Sequence, residues 1–107
     1  MPNYRRLFQP GGTFFFTLVT HMRRPLFAQE AARRCLHDMM DQVRARRPFD
    51  LTAIVLLPEH LHCIWRLPPD DTDYSTRWAC IKKGFSRLWL AAGGAQTPVS
   101  AARPDAS

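Results

Sequence analysis

The chain has 107 residues, of which 46% are hydrophobic, and this combination predicts a single small globular domain. The chain has fifteen basic residues, all but two of them arginine, and nine acidic ones, which gives a formal net charge of +6. This charge indicates a polyanionic partner, and a solvated basic surface is the alternative. No apolar run approaches the ~20 residues of a membrane span and the N-terminus lacks an apolar signal region, so we expect a cytoplasmic protein without membrane contact.

The first three predicted elements are a strand, a helix and a second strand. Thr13–His21 is rich in aromatic and β-branched side chains, which is typical of a strand, and its nearly continuous apolar character predicts that both faces are covered. Between residues 28 and 47, apolar side chains recur at steps of three and four, as on one face of a helix that ends before Pro48. Phe49–Pro58 is predicted to be the second strand.

Two further elements complete the predicted domain. His60–Pro68 has the composition of a third strand, and a two-residue connection joins it to the second. Ser75–Ala92 carries apolar side chains at helical spacing, with Asp73 or Ser75 as its N-cap. Gly84 is expected to weaken this helix by about 1 kcal/mol relative to alanine.

The element order β-α-β-β-α predicts an α+β fold with two helices on one face of an antiparallel sheet, as in the first five elements of a ferredoxin-like unit. Residues 1–92 form this domain, and residues 93–107, rich in Gly, Ala, Ser and Pro, are predicted to be a disordered tail. The sequence offers no candidate for a closing fourth strand. We therefore expect the first strand to be an exposed apolar edge and the protein to be marginally stable.

The stretch "LLPEHLHCIW" contains two of the four histidines, His60 and His62. Side chains alternate along a strand, so both imidazoles are predicted on one face, roughly 6–7 Å apart, while Leu61, Cys63 and Trp65 face the core. Two imidazoles at this spacing suit one divalent ion, with a third ligand from elsewhere in the chain. Because no thiolate shares the face, Mn²⁺ or Mg²⁺ is expected rather than zinc. Two polar residues at the end of a strand are the alternative.

Longer strings of sequence carry a family resemblance. "VLLPEHLHCIWRLP", followed by "DYSTRW" and "IKKGFSR", resembles the REP-associated tyrosine transposases, single-tyrosine members of the HUH endonuclease superfamily. The opening "NYRRLFQPGGTFFFTLVTHMRRPLF" is similar to the first strand of that family. The resemblance runs from about Pro2 to Arg87.

The resemblance implies a ferredoxin-like fold in which His60 and His62 hold Mg²⁺ or Mn²⁺ on a central strand. In the family, the ion polarises a phosphate of single-stranded DNA, and a tyrosine from a later helix attacks it to form a 5′-phosphotyrosine. The substrates are hairpin-forming repetitive extragenic palindromes with a single-stranded flank. The function implied for this chain is therefore DNA binding and DNA transposition by nicking and rejoining.

Clustered basic residues and one aromatic residue are the predicted DNA contacts. Arginine-rich surfaces neutralise phosphates, and an exposed tyrosine is able to stack on a base. A solvated face is the alternative for each cluster. The predicted contacts are Tyr4, Arg5, Arg6, Arg23, Arg24, Lys82, Lys83 and Arg87.

The family's nucleophilic tyrosine follows a fourth strand, and no part of this sequence matches its motif. Tyr74 is expected to lie roughly 15–20 Å from the histidines, at about 3.3 Å per strand residue, which is too far for attack. Tyr4 is expected on a mobile N-terminal arm, without the support a nucleophile needs. We therefore expect a C-terminally truncated family member. The alternative functions are a hairpin-binding remnant that does not cleave and a basic domain that binds RNA.

Overall fold

A computed structural model describes residues 12–94 of the chain and the backbone of residues 4–7. The regular elements are β1 (Tyr4–Leu7), β2 (Thr13–Val19), α1 (Glu30–Arg46), β3 (Asp50–Leu57), β4 (His60–Arg66) and α2 (Tyr74–Ala91). Two short 3-10 turns, at His21–Arg23 and Leu26–Ala28, connect β2 to α1.

The four strands form one antiparallel sheet in the order β1-β2-β4-β3. Every second residue of β2 and β4 is buried, and these residues form a single core with the apolar sides of α1 and α2. Both helices therefore pack on one face of the sheet, and no element within residues 12–94 covers the opposite face, which is called the open face below. The predicted α+β class is confirmed.

The sheet has an N-terminal strand that the sequence did not predict. β1 pairs antiparallel with β2, from Tyr4 opposite Phe16 to Leu7 opposite Thr13. The N-terminal segment thus lies on the side of β2 away from β4, and half of the edge that was expected to be exposed is paired. The segment is short and basic, so it has no apolar alternation of its own, and pairing with β2 rather than local pattern makes it a strand.

β2, the strand that was predicted to be covered on both faces, is covered on one face only. Phe14, Phe16 and Leu18 are buried against the helices, whereas Phe15 is 42% exposed on the opposite face. A run of aromatic residues resembles a strand buried on both sides, but the sheet has no second layer in the described residues.

Aromatic rings fill the space between the sheet and the helices. Trp65 of β4 is fully buried between Phe49, with ring centroids 4.0 Å apart, and Trp78 of α2, at 4.7 Å. Gly84 of α2 faces Met39 of α1, and a Cβ at this position would collide with the methionine side chain. The glycine therefore allows close approach of the two helices, which offsets its poor helix propensity.

A buried arginine ties the start of α2 to the end of α1. Arg77 is only 3% exposed and donates two hydrogen bonds to the Asp71 carboxylate, at 3.1 and 3.0 Å. Its remaining donors reach the carbonyls of Arg47, Pro48 and Asp73. Burial is tolerated because the guanidinium is paired and its hydrogen bonds are satisfied. Beside it, the Asp73 carboxylate caps α2 by accepting from the Thr76 N–H at 3.0 Å.

Candidate functional site on the open sheet face

Strand alternation places His60 and His62 of β4 on the open face of the sheet. Leu61 and Cys63 point the other way and are 0% and 2% exposed, so the core fixes the register that turns both imidazoles outward. The two imidazole centroids are 4.8 Å apart, and the ring planes stand at 84° to each other. The structure therefore brings together the two histidines that the sequence singled out.

Each imidazole has an oxygen atom near its Nδ1. Thr17 lies directly opposite His62 on β2, and its Oγ1 is 3.0 Å from His62 Nδ1. His60 Nδ1 is buried and makes no hydrogen bond within residues 12–94, while Glu59 Oε2 lies 3.8 Å from it. Both of these oxygen atoms therefore lie on the Nδ1 side of their ring.

The pair fits a divalent ion. Two imidazoles bound at right angles to one ion, with metal–nitrogen distances of about 2.1 Å, have ring centres roughly 4.5 Å apart, close to the 4.8 Å measured here. Burial raises the pKa of the Cys63 thiol to about 12, against a smaller lowering by Trp65, and the thiol faces the core, so no thiolate is available. Among the described residues, no group of three His, Cys, Asp or Glu side chains forms, so a complete ligand set would need other donors.

Of the predicted DNA contacts, Arg23 and Arg24 belong to the turn that packs against the residue before His60. They follow β2, and the Thr20 N–H donates to the Glu59 carbonyl at 3.0 Å, which holds this turn against the β3–β4 connection. Arg23 Nη1 is 4.0 Å from Glu59 Oε2, so one carboxylate lies between this arginine and His60. Met22 and Arg23 adopt positive φ angles of 54° and 53°, a conformation that costs free energy for residues other than glycine.

Three of the other predicted contacts lie on the opposite side of the sheet. Lys82, Lys83 and Arg87 are on α2, which covers the face of the sheet opposite the histidines. Arg87 lines a groove of about 560 Å³ together with Arg46 and Arg47, at the end of α1. Tyr4, Arg5 and Arg6 are on β1, where Arg5 pairs with Phe15 of the neighbouring strand.

Tyr74 is not presented beside the histidines. Tyr74 begins α2 and packs on the helix-covered face, with ring centroids 5.2 Å from Phe14 and 5.5 Å from Phe16. Tyr4, expected on a free arm, instead belongs to β1, where its backbone pairs with Phe16.

Thr17 is the residue of the site that the sequence reasoning missed. Its position on the open face follows from alternation with the buried Phe16 and Leu18. Its place beside His62, however, depends on the pairing of two strands that are far apart in sequence. No local pattern could have identified that neighbour.

The fold is that of solved transposases. A candidate transposase from Deinococcus radiodurans R1 superposes with a TM-score of 0.60 over 81% of this chain and 62% of its own, at 17% identity, which establishes the fold alone. A REP-associated tyrosine transposase solved in complex with a REP hairpin superposes with a TM-score of 0.68 at 43% identity, covering 87% of this chain and 54% of that one. This chain therefore has the fold of these solved transposases.

Sequence comparison agrees with the structural match. The REP-associated tyrosine transposase of Escherichia coli K12 is 44% identical over 86 residues, which is 80% of this chain and 52% of the relative. Together with the structural match, this shows that the chain is similar to about half of a REP-associated tyrosine transposase, as its sequence motifs suggested. The chain spans about half the length of the relatives it matches. No protein-family model matches it.

Neither described helix combines the length and apolar content that crossing a lipid bilayer requires.

Proposed function

We propose that this chain binds single-stranded DNA next to hairpins of repetitive extragenic palindromes and takes part in their metal-dependent nicking and rejoining. The observation that carries the proposal is the His60–His62 pair, with ring centroids 4.8 Å apart on an open sheet face. The solved relative bound to a REP hairpin supports the choice of DNA as the partner. The net charge of +6 has the sign needed for a phosphate backbone.

In this proposal, His60 and His62 hold Mg²⁺ or Mn²⁺, which supplies Lewis-acid polarisation of the scissile phosphate when it is bound. Arg23 and Arg24 neutralise neighbouring phosphates, because their turn is fixed against the connection that precedes His60. Both roles position the DNA so that one phosphodiester faces the open side of the sheet.

The covalent step needs a tyrosine hydroxyl. Its oxygen attacks the phosphorus, the bond to the 3′ oxygen breaks, and the 3′ hydroxyl leaves with a proton; the reverse reaction reseals the strand without an external energy source. Because Tyr74 packs against Phe14 and Phe16 on the opposite face, it is a poor candidate for this attack. We propose that the nucleophile comes from outside residues 12–94.

A second candidate function is hairpin binding without cleavage, which the placement of Tyr74 favours for this chain acting alone. The two functions differ in one product. A nickase forms a covalent protein–DNA adduct, and a binding module forms only a reversible complex.

The test incubates the full chain with a labelled REP-type hairpin carrying a single-stranded flank, with and without Mn²⁺. Adduct formation that requires Mn²⁺ and is lost in His60→Ala and His62→Ala supports cleavage by the proposed site, and Tyr4→Phe and Tyr74→Phe then test the two tyrosines. His37→Ala is the matched control, since His37 is exposed on α1. Reversible binding without adduct supports the second function, and no preference for the hairpin over an unrelated duplex refutes both.

A further inference from the structure

We propose that Thr17 and Glu59 are positioning residues that hold the Nδ1–H of His62 and His60 and leave both Nε2 atoms free for a metal ion. This inference rests on the proposed function for the identity of the ligand. It concerns residues that do not contact the ion themselves. The two histidines receive different partners, a hydroxyl for one and a carboxylate for the other.

Thr17 is placed by the register of the sheet. It is the direct cross-strand neighbour of His62, and its Oγ1 lies 3.0 Å from His62 Nδ1, a normal hydrogen-bond distance. A neutral imidazole carries its proton on one nitrogen and a lone pair on the other. If Nδ1–H donates to Thr17, the lone pair is on Nε2; a metal-binding histidine is usually held in this way by a partner on its second nitrogen.

Glu59 is placed by the turn between β3 and β4. Its carbonyl accepts from the Thr20 N–H and from Thr20 Oγ1, both at 3.0 Å, and Thr20 is only 5% exposed. The backbone before His60 is therefore fixed, and the Glu59 side chain has only its own torsions with which to adjust. Its Oε2 stands 3.8 Å from His60 Nδ1, a distance that a small rotation would reduce to a hydrogen bond.

The buried Nδ1 of His60 gives this contact its importance. The atom has no hydrogen-bond partner within residues 12–94, and such buried polar atoms normally have one. Arg23 Nη1 lies 4.0 Å from the same Glu59 oxygen. A carboxylate that accepts from the second nitrogen raises the basicity of an imidazole ligand, so His60 is expected to be the stronger of the two.

The first test reads the tautomers directly in the metal-free protein. Long-range ¹H–¹⁵N NMR, recorded where the imidazoles are neutral, is expected to show Nδ1–H for both His60 and His62. Thr17→Val should shift only His62 and Glu59→Ala only His60 toward the other tautomer, whereas Thr17→Ser should retain it. His37 is the internal reference. Nε2–H tautomers in the unmodified protein, or rings insensitive to these changes, would overturn the proposal.

The second test measures binding of Mn²⁺ alone by electron paramagnetic resonance, without DNA. Thr17→Val and Glu59→Ala are each expected to weaken Mn²⁺ binding by about 10–100-fold, and Thr17→Ser by less than about threefold. Loss of Mn²⁺ binding in Glu59→Gln with an unchanged His60 tautomer would make Glu59 a ligand and contradict its positioning role. Because neither readout uses DNA, their failure is distinguishable from failure of the hairpin assay.

Discussion

Replacing Arg77 with methionine removes the donor that joins the end of α1 to the loop before α2. The guanidinium is 3% exposed and donates five hydrogen bonds, two of them to Asp71 and three to backbone carbonyls. Methionine has a similar length but no donor, so the three carbonyls and the carboxylate lose their partner. The Asp71 side chain is 33% exposed and is able to turn toward water, which limits the penalty on that side.

The expected loss in the free energy of unfolding is about 3–4 kcal/mol, since removing one partner of a buried ion pair costs roughly 3–5 kcal/mol. A domain of this size has about 5–15 kcal/mol in total, so the variant remains folded but has little stability left. At about 4–8 °C for each kcal/mol, the melting temperature should fall by roughly 12–30 °C.

Urea unfolding followed by tryptophan fluorescence provides the measurement, because Trp65 and Trp78 are buried and stacked at 4.7 Å. Arg87→Met is the matched control: Arg87 is exposed on the same helix, and its replacement should cost less than about 0.5 kcal/mol. Equal stability of the two variants, with unchanged urea dependence, would refute the reasoning that Arg77 acts through its buried hydrogen bonds.

Three further predictions concern the same loop and the cysteines. The pKa of Asp71 is lowered from 3.8, chiefly by the hydrogen bond from Arg77 and then by the one from the Asp73 N–H. The stabilisation that this carboxylate contributes to the folded state is therefore complete above its pKa in the unfolded chain. It is lost as pH falls through the lower pKa of the folded state. Urea titrations across pH 5 to about 2 should show a stability decline that is shallower in Asp71→Asn, and an identical slope would contradict the assignment. Asp73→Ala should lower the free energy of unfolding by about 1 kcal/mol, because it removes the side chain that accepts from the Thr76 N–H, whereas Asp73→Ser should retain most of this stability. An equal loss of stability in both variants would show that capping is unimportant. Burial raises the pKa of the Cys63 thiol to about 12, so this thiol should resist alkylation in the native protein while the half-buried Cys80 reacts. Mass spectrometry of peptides would show which cysteine is labelled first. Labelling of Cys63 before Cys80 would disprove this prediction.

Much of the fold was predictable because its determinants are local. Apolar spacing predicted both helices to within two residues at each end, as α1 (Glu30–Arg46) and α2 (Tyr74–Ala91) show. The hairpin of β3 and β4 followed from the two turn residues Pro58 and Glu59. The errors, at β1 and at the covering of β2, both concern which segments become neighbours across the sheet.

The sequence by itself determined the α+β class, the two histidines on one face and the family resemblance, because alternation along a strand and motif order are written in consecutive residues. Only the tertiary structure decided that Thr17 stands beside His62, that Arg77 is buried, and that the N-terminal segment completes a four-stranded sheet. These outcomes depend on contacts between segments tens of residues apart. The energy of such contacts comes from register, burial and shared hydrogen bonds, and none of these is a property of a local pattern.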